Sequence, residues 1–329
     1  MAHIKIIGAG VVGLSCALEL LQHGHSVHLV DRAGGLGGHA CSHYAGGMLA
    51  PWCEGESAEP IVVQLGAQAI NWWAQYVDCI RYEGTLVVSS ARDQTELTRF
   101  AQRTQAHHAV NAAQIAELEP DLAGRFNSGL YYAQEAHVDP RVALQQLLAR
   151  VLALGATVQW QTECDPNAAS DADFVLDCRG FAASEDIAEL RGVRGEMLLI
   201  QTHEVQFKRP VRLVHPRIPL YIVPRENGVF MIGATMIESS KRSGASVRSV
   251  VELLNGAYAL HPAFAEAQIL EIGADVRPAF ANHLPKIIRA GKLLRVNGMY
   301  RHGFLLAPAM AQLLARAIAD PNAPTELAL

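Results

Sequence analysis

Three glycines near the start of the chain, Gly8, Gly10 and Gly13, stand in the spacing G-x-G-x-x-G, with Ala9, Val11 and Val12 between them. That spacing suits an anion. The first glycine permits a sharp turn, the second lets a pyrophosphate approach the backbone, and the third lets a helix pack closely on a strand. The helix that follows offers free N–H groups to the phosphate. Asp31 lies eighteen residues after Gly13 and closes the apolar run Ser26 to Val30, at the place where an acidic residue accepts hydrogen bonds from an adenosine ribose. Arg32 is counted with it as cofactor-binding. A 2′-phosphate would be repelled by Asp31, which disfavours NADP and leaves FAD and NAD open.

Other chemistry is less visible. The six cysteines, 16, 41, 53, 79, 164 and 178, contain no C-x-x-C pair, and the fourteen histidines show no H-E-x-x-H spacing. This pattern fits free thiols in a reducing, cytoplasmic setting and gives no metal site. A net charge of −5 argues against nucleic acid as a partner. The densest cationic cluster, Lys208, Arg209, Arg212 and Arg217, reads as a solvated strand edge. The N-terminal apolar stretch is too short and too rich in glycine to be a membrane span. With half of its 329 residues hydrophobic, the chain can bury a sizeable core.

The elements that must position these residues follow from periodicity. Ile4 to Ile7 reads as a buried parallel strand, Val11 to Leu21 as the helix after the glycines, and Ser26 to Val30 as the second strand. The segment from Gly34 to Pro51 is too glycine-rich for a core element and too apolar at its end for a linker, so it suits close approach of backbone to a flat ligand. A helical pattern from Glu56 to Val77 carries Trp72 and Trp73 toward the core. Gly84–Ser89 and Gly129–Ala133 read as strands, with Asp93–Thr104 and Ala113–Leu118 as helices. Asp139 caps a helix that runs to about Leu154.

Ala172 to Gly180 has the form of a strand returning to the first sheet, with Gly180 at its ligand-facing carboxyl end. After Gly192 come short alternating runs, at 195–201, 211–215, 220–223, 229–232 and 269–274, which read as an antiparallel sheet. Asn227-Gly228 marks a hairpin within it, and Val247 to Leu260 is a helix. The strand Leu293–Gly298 and the apolar helix Leu305–Ala319 return to the first domain.

Four stretches together resemble the FAD-dependent D-amino acid oxidase family, and within it the glycine oxidases of thiamine biosynthesis. They are Ile6 to Leu14; Tyr44-Ala45-Gly46-Gly47-Met48-Leu49-Ala50-Pro51; Leu220 to Arg225 with Gly233-Ala234-Thr235-Met236; and Arg277-Pro278-Ala279 with Tyr300 to Ala309. The resemblance spans nearly the whole chain. It implies an α/β fold in which a Rossmann-like FAD-binding domain (1–80, 135–190 and 275–329) interleaves with an α+β substrate domain (81–134 and 191–274) built on an antiparallel sheet.

It further implies that Tyr44 to Met48 line the flavin ring and that Arg301, His302, Gly303, Phe304 and Leu305 offer backbone N–H groups to its pyrimidine end. Arg277, Arg301 and Tyr221 match the residues that bind a substrate carboxylate, and Met236 matches one that shapes the pocket wall. Arginine's planar fork suits a carboxylate. The reaction implied is hydride transfer from the α-carbon to flavin N5, giving an imine, with reduced flavin passing electrons to O2. Because the flavin does this chemistry, no protein acid or base is required at the α-carbon. In thiamine synthesis the glycine imine would feed thiazole formation, and the family's habit implies a homo-oligomer. No motif argues for covalent flavin. Sarcosine, proline or a bulkier D-amino acid stands as an alternative substrate and a quinone as an alternative acceptor. From another class, an NAD-binding dehydrogenase or a non-catalytic dinucleotide module would explain the first stretch alone.

Overall fold

A computed structural model describes residues 1–217, 219–320, 322–325 and 327. Two large sheets organise it. The first has six strands in the order Lys286–Ala290, Leu293–Asn297, Phe174–Asp177, His3–Ile7, Ser26–Val30 and Thr157–Gln159, parallel apart from the Lys286–Ala290 edge. Ile4 and Ile6 on its central strand are fully buried, as a parallel strand covered on both faces must be. The helix Val11–Gln22 packs between Pro140–Ala153 and Gly303–Ala319. Asp139 caps the second of these helices by accepting from the N–H groups of Arg141 and Val142.

The second sheet has nine strands. Its path runs Ile237–Glu238, Arg191–Gln201, Val229–Gly233, Leu220–Pro224, Val211–Val214, Thr85–Ser89, Ser128–Tyr132 and His108–Asn111, and Gln268–Ala279 pairs along Arg191–Gln201. It is antiparallel except where Val211–Val214 runs parallel to Thr85–Ser89. At the hairpin, Asn227 and Gly228 both have positive φ, +58° and +68°, the geometry that a two-residue turn of the favoured hand requires.

Several elements differ from the pattern read in the sequence. The Glu56–Val77 segment forms two helices, Pro60–Gly66 and Ala69–Tyr76. The strands His108–Asn111 and Lys286–Ala290 are edge strands whose alternation is weak. Gln268–Ala279 runs unbroken in the second sheet, so the expected domain break at 275 falls inside a strand. Of the final expected segment, 321, 326, 328 and 329 lie outside the described residues. Trp72 and Trp73 are buried, and the Trp73 indole N–H donates to the Phe304 carbonyl at 2.8 Å.

The expected solvated cationic edge is corrected for two of its members. Lys208 and Arg217 are exposed, whereas Arg209 and Arg212 are buried. Arg209 Nε donates to Glu119 Oε1 at 2.9 Å, and that fully buried carboxylate also accepts from the backbone N–H groups of Lys208 and Arg209. Burial pushes the Glu119 carboxyl above its ordinary range, and the Arg209 side chain and these N–H groups oppose it. Deleting one partner of such a pair strands the other charge. Arg209→Met should therefore cost about 3–5 kcal/mol in urea unfolding; a loss within the range of ordinary surface substitutions would contradict this account.

Candidate active site

The glycine cradle lies at the carboxyl end of the strand His3–Ile7. Gly8 has φ +104°, and a Cβ there would sit 2.6 Å from the Cys178 carbonyl oxygen. At Gly13 a Cβ would sit 1.9 Å from the Gly8 carbonyl oxygen. A side chain at Gly13 would push the helix off the strand, and one at Gly8 would strike the backbone that follows the neighbouring strand Phe174–Asp177. Gly10 caps the helix with no side-chain hydrogen bond, so the first-turn N–H groups point outward. One of them, from Val11, donates to Ser42 Oγ at 3.2 Å. Asp31 accepts from the N–H of Ala9 at 2.7 Å and of Ala33 at 2.8 Å. Each carboxylate oxygen keeps a lone pair for a ribose hydroxyl.

From this cradle a cavity of about 450 Å³ runs past the Tyr44–Met48 loop to the start of the helix Gly303–Ala319. Most of the residues singled out in the sequence line it: Gly8, Gly10, Val11, Val12, Asp31, Arg32, Tyr44 to Met48, Gly180, Tyr221, Arg277 and Arg301 to Leu305. Three do not. Ala9 is buried and fixes Asp31, and Gly13 packs behind the cradle. Met236 is half exposed, with its sulfur against Arg301 Nη1 at 3.5 Å and the Tyr300 hydroxyl at 3.6 Å.

The loop is held from behind by a residue the sequence did not single out. The Arg225 side chain is buried, and donates to the Gly46 carbonyl at 2.7 Å and the Val138 carbonyl at 3.2 Å. Gly46 faces the Tyr221 ring, which would stand 3.0 Å from a Cβ at that position. A flat group can approach the loop because this backbone is bare.

At the far end stand the cations. Arg277 Nη1 donates to the Thr235 carbonyl at 3.0 Å, and among the described residues no carboxylate lies within ion-pair distance of its guanidinium. Arg301 differs: its Nη2 lies 2.8 Å from Glu54 Oε2. Glu54 ends the short helix Pro51–Glu54, is buried, and meets Arg212 Nη2 through Oε1 at 2.6 Å. Burial alone would raise its carboxyl, but Arg301 and Arg212 outweigh burial and hold it well below the usual carboxylate range. His302 Nδ1 is 3.5 Å from the same carboxylate, and burial pushes that imidazole down to about 4, so it is neutral at pH 7. Glu54, Arg212, Arg225 and Ser42 were not among the site residues read from the sequence, because each acts on a partner far away in the chain.

These residues fit an extended dinucleotide with a flat ring system at its far end. The cradle admits only bare backbone beside a pyrophosphate, Asp31 waits at the ribose position, and Arg301–Leu305 open a helix N-terminus where negative charge is stabilised.

Comparison with known proteins agrees with this geometry. The family model described as FAD dependent oxidoreductase matches residues 3–317. A Rhizobium etli chain named for thiamine biosynthesis, the oxidoreductase ThiO, is 52% identical over 316 residues, covering 95% of each chain. A glycine oxidase of Pseudomonas aeruginosa is 26% identical over 349 residues, covering 95% of this chain and 93% of its own. Among solved structures, glycine oxidase from Geobacillus kaustophilus superposes with a TM-score of 0.80 at 20% identity, covering 97% of this chain and 95% of its own, and so shares the fold. With a cradle, a cavity and a family match that extend over almost all of its length, the chain belongs to the FAD dependent oxidoreductases.

Proposed function

We propose that this chain oxidises glycine, and with it other small amines, by means of bound FAD. The products are an imine and, after reaction with water, glyoxylate and ammonia. Two electrons pass to O2 to give hydrogen peroxide, and in thiamine biosynthesis the glycine imine supplies the thiazole. One observation carries the reading: a single cavity joins a dinucleotide cradle to Arg277, a guanidinium with no carboxylate within ion-pair distance among the described residues. The relatives named as ThiO and glycine oxidase support it. We place the enzyme in the cytoplasm as a homo-oligomer. No helix among the described residues is long and apolar enough to cross a membrane.

Gly8, Gly10 and Gly13 would hold the pyrophosphate, Asp31 and Arg32 the adenosine side, and Tyr44–Met48 with Arg301–Leu305 the flavin ring. Bound FAD supplies a two-electron acceptor for the substrate Cα–H bond. The protein's own contribution is position. Arg277 takes the substrate carboxylate with its planar fork, and the Tyr221 hydroxyl, in the same cavity, donates to it. Fixing the carboxylate fixes the α-carbon, which replaces a bimolecular encounter by a held geometry. The apolar loop and the buried Glu54–Arg212 pair keep bulk water from the reacting end. Domain assignments follow the same division: we assign the first sheet with its helices to the cofactor and the second sheet to the substrate.

The purified protein should show a flavin spectrum that bleaches on anaerobic addition of glycine and returns with air, yielding peroxide. A spectrum bleached only by sarcosine or a larger D-amino acid would move the substrate, and a colourless protein that binds no FAD would overturn the reading. Arg277→Lys should raise the KM for glycine by about 10- to 100-fold, the loss expected for a charge-assisted fork. Tyr221→Phe should raise it less. Steady-state kinetics that left KM unchanged in Arg277→Lys would remove Arg277 from the carboxylate site.

A further inference from the structure

Gly195 stands inside the strand Arg191–Gln201, directly opposite Asp275 on the strand Gln268–Ala279. Asp275 and Arg277 are two residues apart and so face the same side of the sheet, which puts Arg277 on the diagonal from Gly195, within reach of a long side chain. Both line the cavity. A Cβ at Gly195 would have its three nearest neighbours in one group, the Arg277 guanidinium, with Cζ and Nη2 at 2.3 Å and Nη1 at 2.5 Å. Three near-equal distances mean that the fork lies flat across the place a side chain would fill. The backbone does not call for glycine there: Gly195 has no positive φ, and the register around it is regular. Glycine weakens a strand interior, and it occurs there where another group approaches the backbone closely. Tyr221 is seated in the same way, since Gly233 is its cross-strand partner and a Cβ at Gly233 would stand 2.8 Å from the Tyr221 hydroxyl.

We propose that Gly195 is a positioning residue for the substrate carboxylate and acts through Arg277. Its bare backbone is the floor on which the guanidinium rests, and the Thr235 carbonyl, 3.0 Å from Nη1, sets the direction of the fork. This rests on the reading of the cavity as an amino acid site. Carbon atoms in ordinary contact stand about 3.5 Å apart, so a methyl group at position 195 would lift the guanidinium off the sheet by about 1 Å. The guanidinium ends a long, flexible side chain, whereas Gly195 is held in a paired strand, so the arginine gives way and the fold does not. The displaced fork would leave the place that the Thr235 carbonyl now fixes and would meet the carboxylate out of line. A misplacement of about 1 Å in a held geometry can cost about 100-fold.

The test compares the flavin-loaded parent with Gly195→Ala, Arg277→Met and the double variant. Acetate binding is measured by titration calorimetry, and glycine oxidation by the rate of anaerobic flavin bleaching. Gly195→Ala should keep its flavin and the parent's unfolding temperature, yet bind acetate roughly 10- to 100-fold more weakly. In the Arg277→Met background the same substitution should change the second-order rate with glycine by less than about twofold, because losses that pass through one group do not add. A Gly195→Ala protein with the parent's acetate affinity overturns the proposal, and so does an equal loss in both backgrounds. If Gly195→Ala does not fold, the double variant must, since the group that its methyl strikes is gone; a double variant that also fails to fold overturns the proposal. Failure of the functional reading looks different: the parent itself binds no acetate, and no amine bleaches its flavin.

Discussion

The carboxylate of Glu54 is where the two halves of the molecule are tied. One oxygen meets Arg212, on a central strand of the second sheet, and the other meets Arg301, just before the helix that packs on the first. A buried carboxylate is tolerated only when paired, and a buried guanidinium only when its charge is met. Each of these three groups therefore fixes the other two. The cavity forms between them because the cradle belongs to one sheet and Arg277 to the other.

Around that tie, the backbone does most of the shaping. Gly8 and Gly13 bring strand and helix into contact, and Gly46 and Gly47 bring a bare loop against the Tyr221 ring and the Val138 carbonyl. Arg225 then locks the loop from the opposite side through the Gly46 carbonyl. Trp73 does the same for the final helix by donating its indole N–H to the Phe304 carbonyl. The chemistry falls to the cofactor, and the chain supplies a rigid frame for two ligands.

Much of this frame was legible in the sequence where its cause is local. The glycine spacing, the Asp31 position, the Asp139 cap and the Asn227-Gly228 hairpin each depend on a few neighbouring residues and appear as read. What escaped depends on distance. Arg209 and Arg212 look like a surface run because their partners, Glu119 and Glu54, lie 90 and 158 residues away. The edge strand Lys286–Ala290 alternates too weakly to announce itself, and it exists because Leu293–Asn297 offers it a ladder. Arg301 was legible as a cation of the site, but its engagement by Glu54 was not.

The central claim is that one cavity seats FAD and, at Arg277, the carboxylate of its substrate. The most direct measurement is a crystal structure of the protein with FAD and acetate. The account predicts the flavin ring against Tyr44–Met48 and the acetate carboxylate on the Arg277 guanidinium, with Arg301 still on Glu54. Acetate seated on Arg301 with Glu54 displaced, or a dinucleotide whose ring system lies away from that loop, would contradict it.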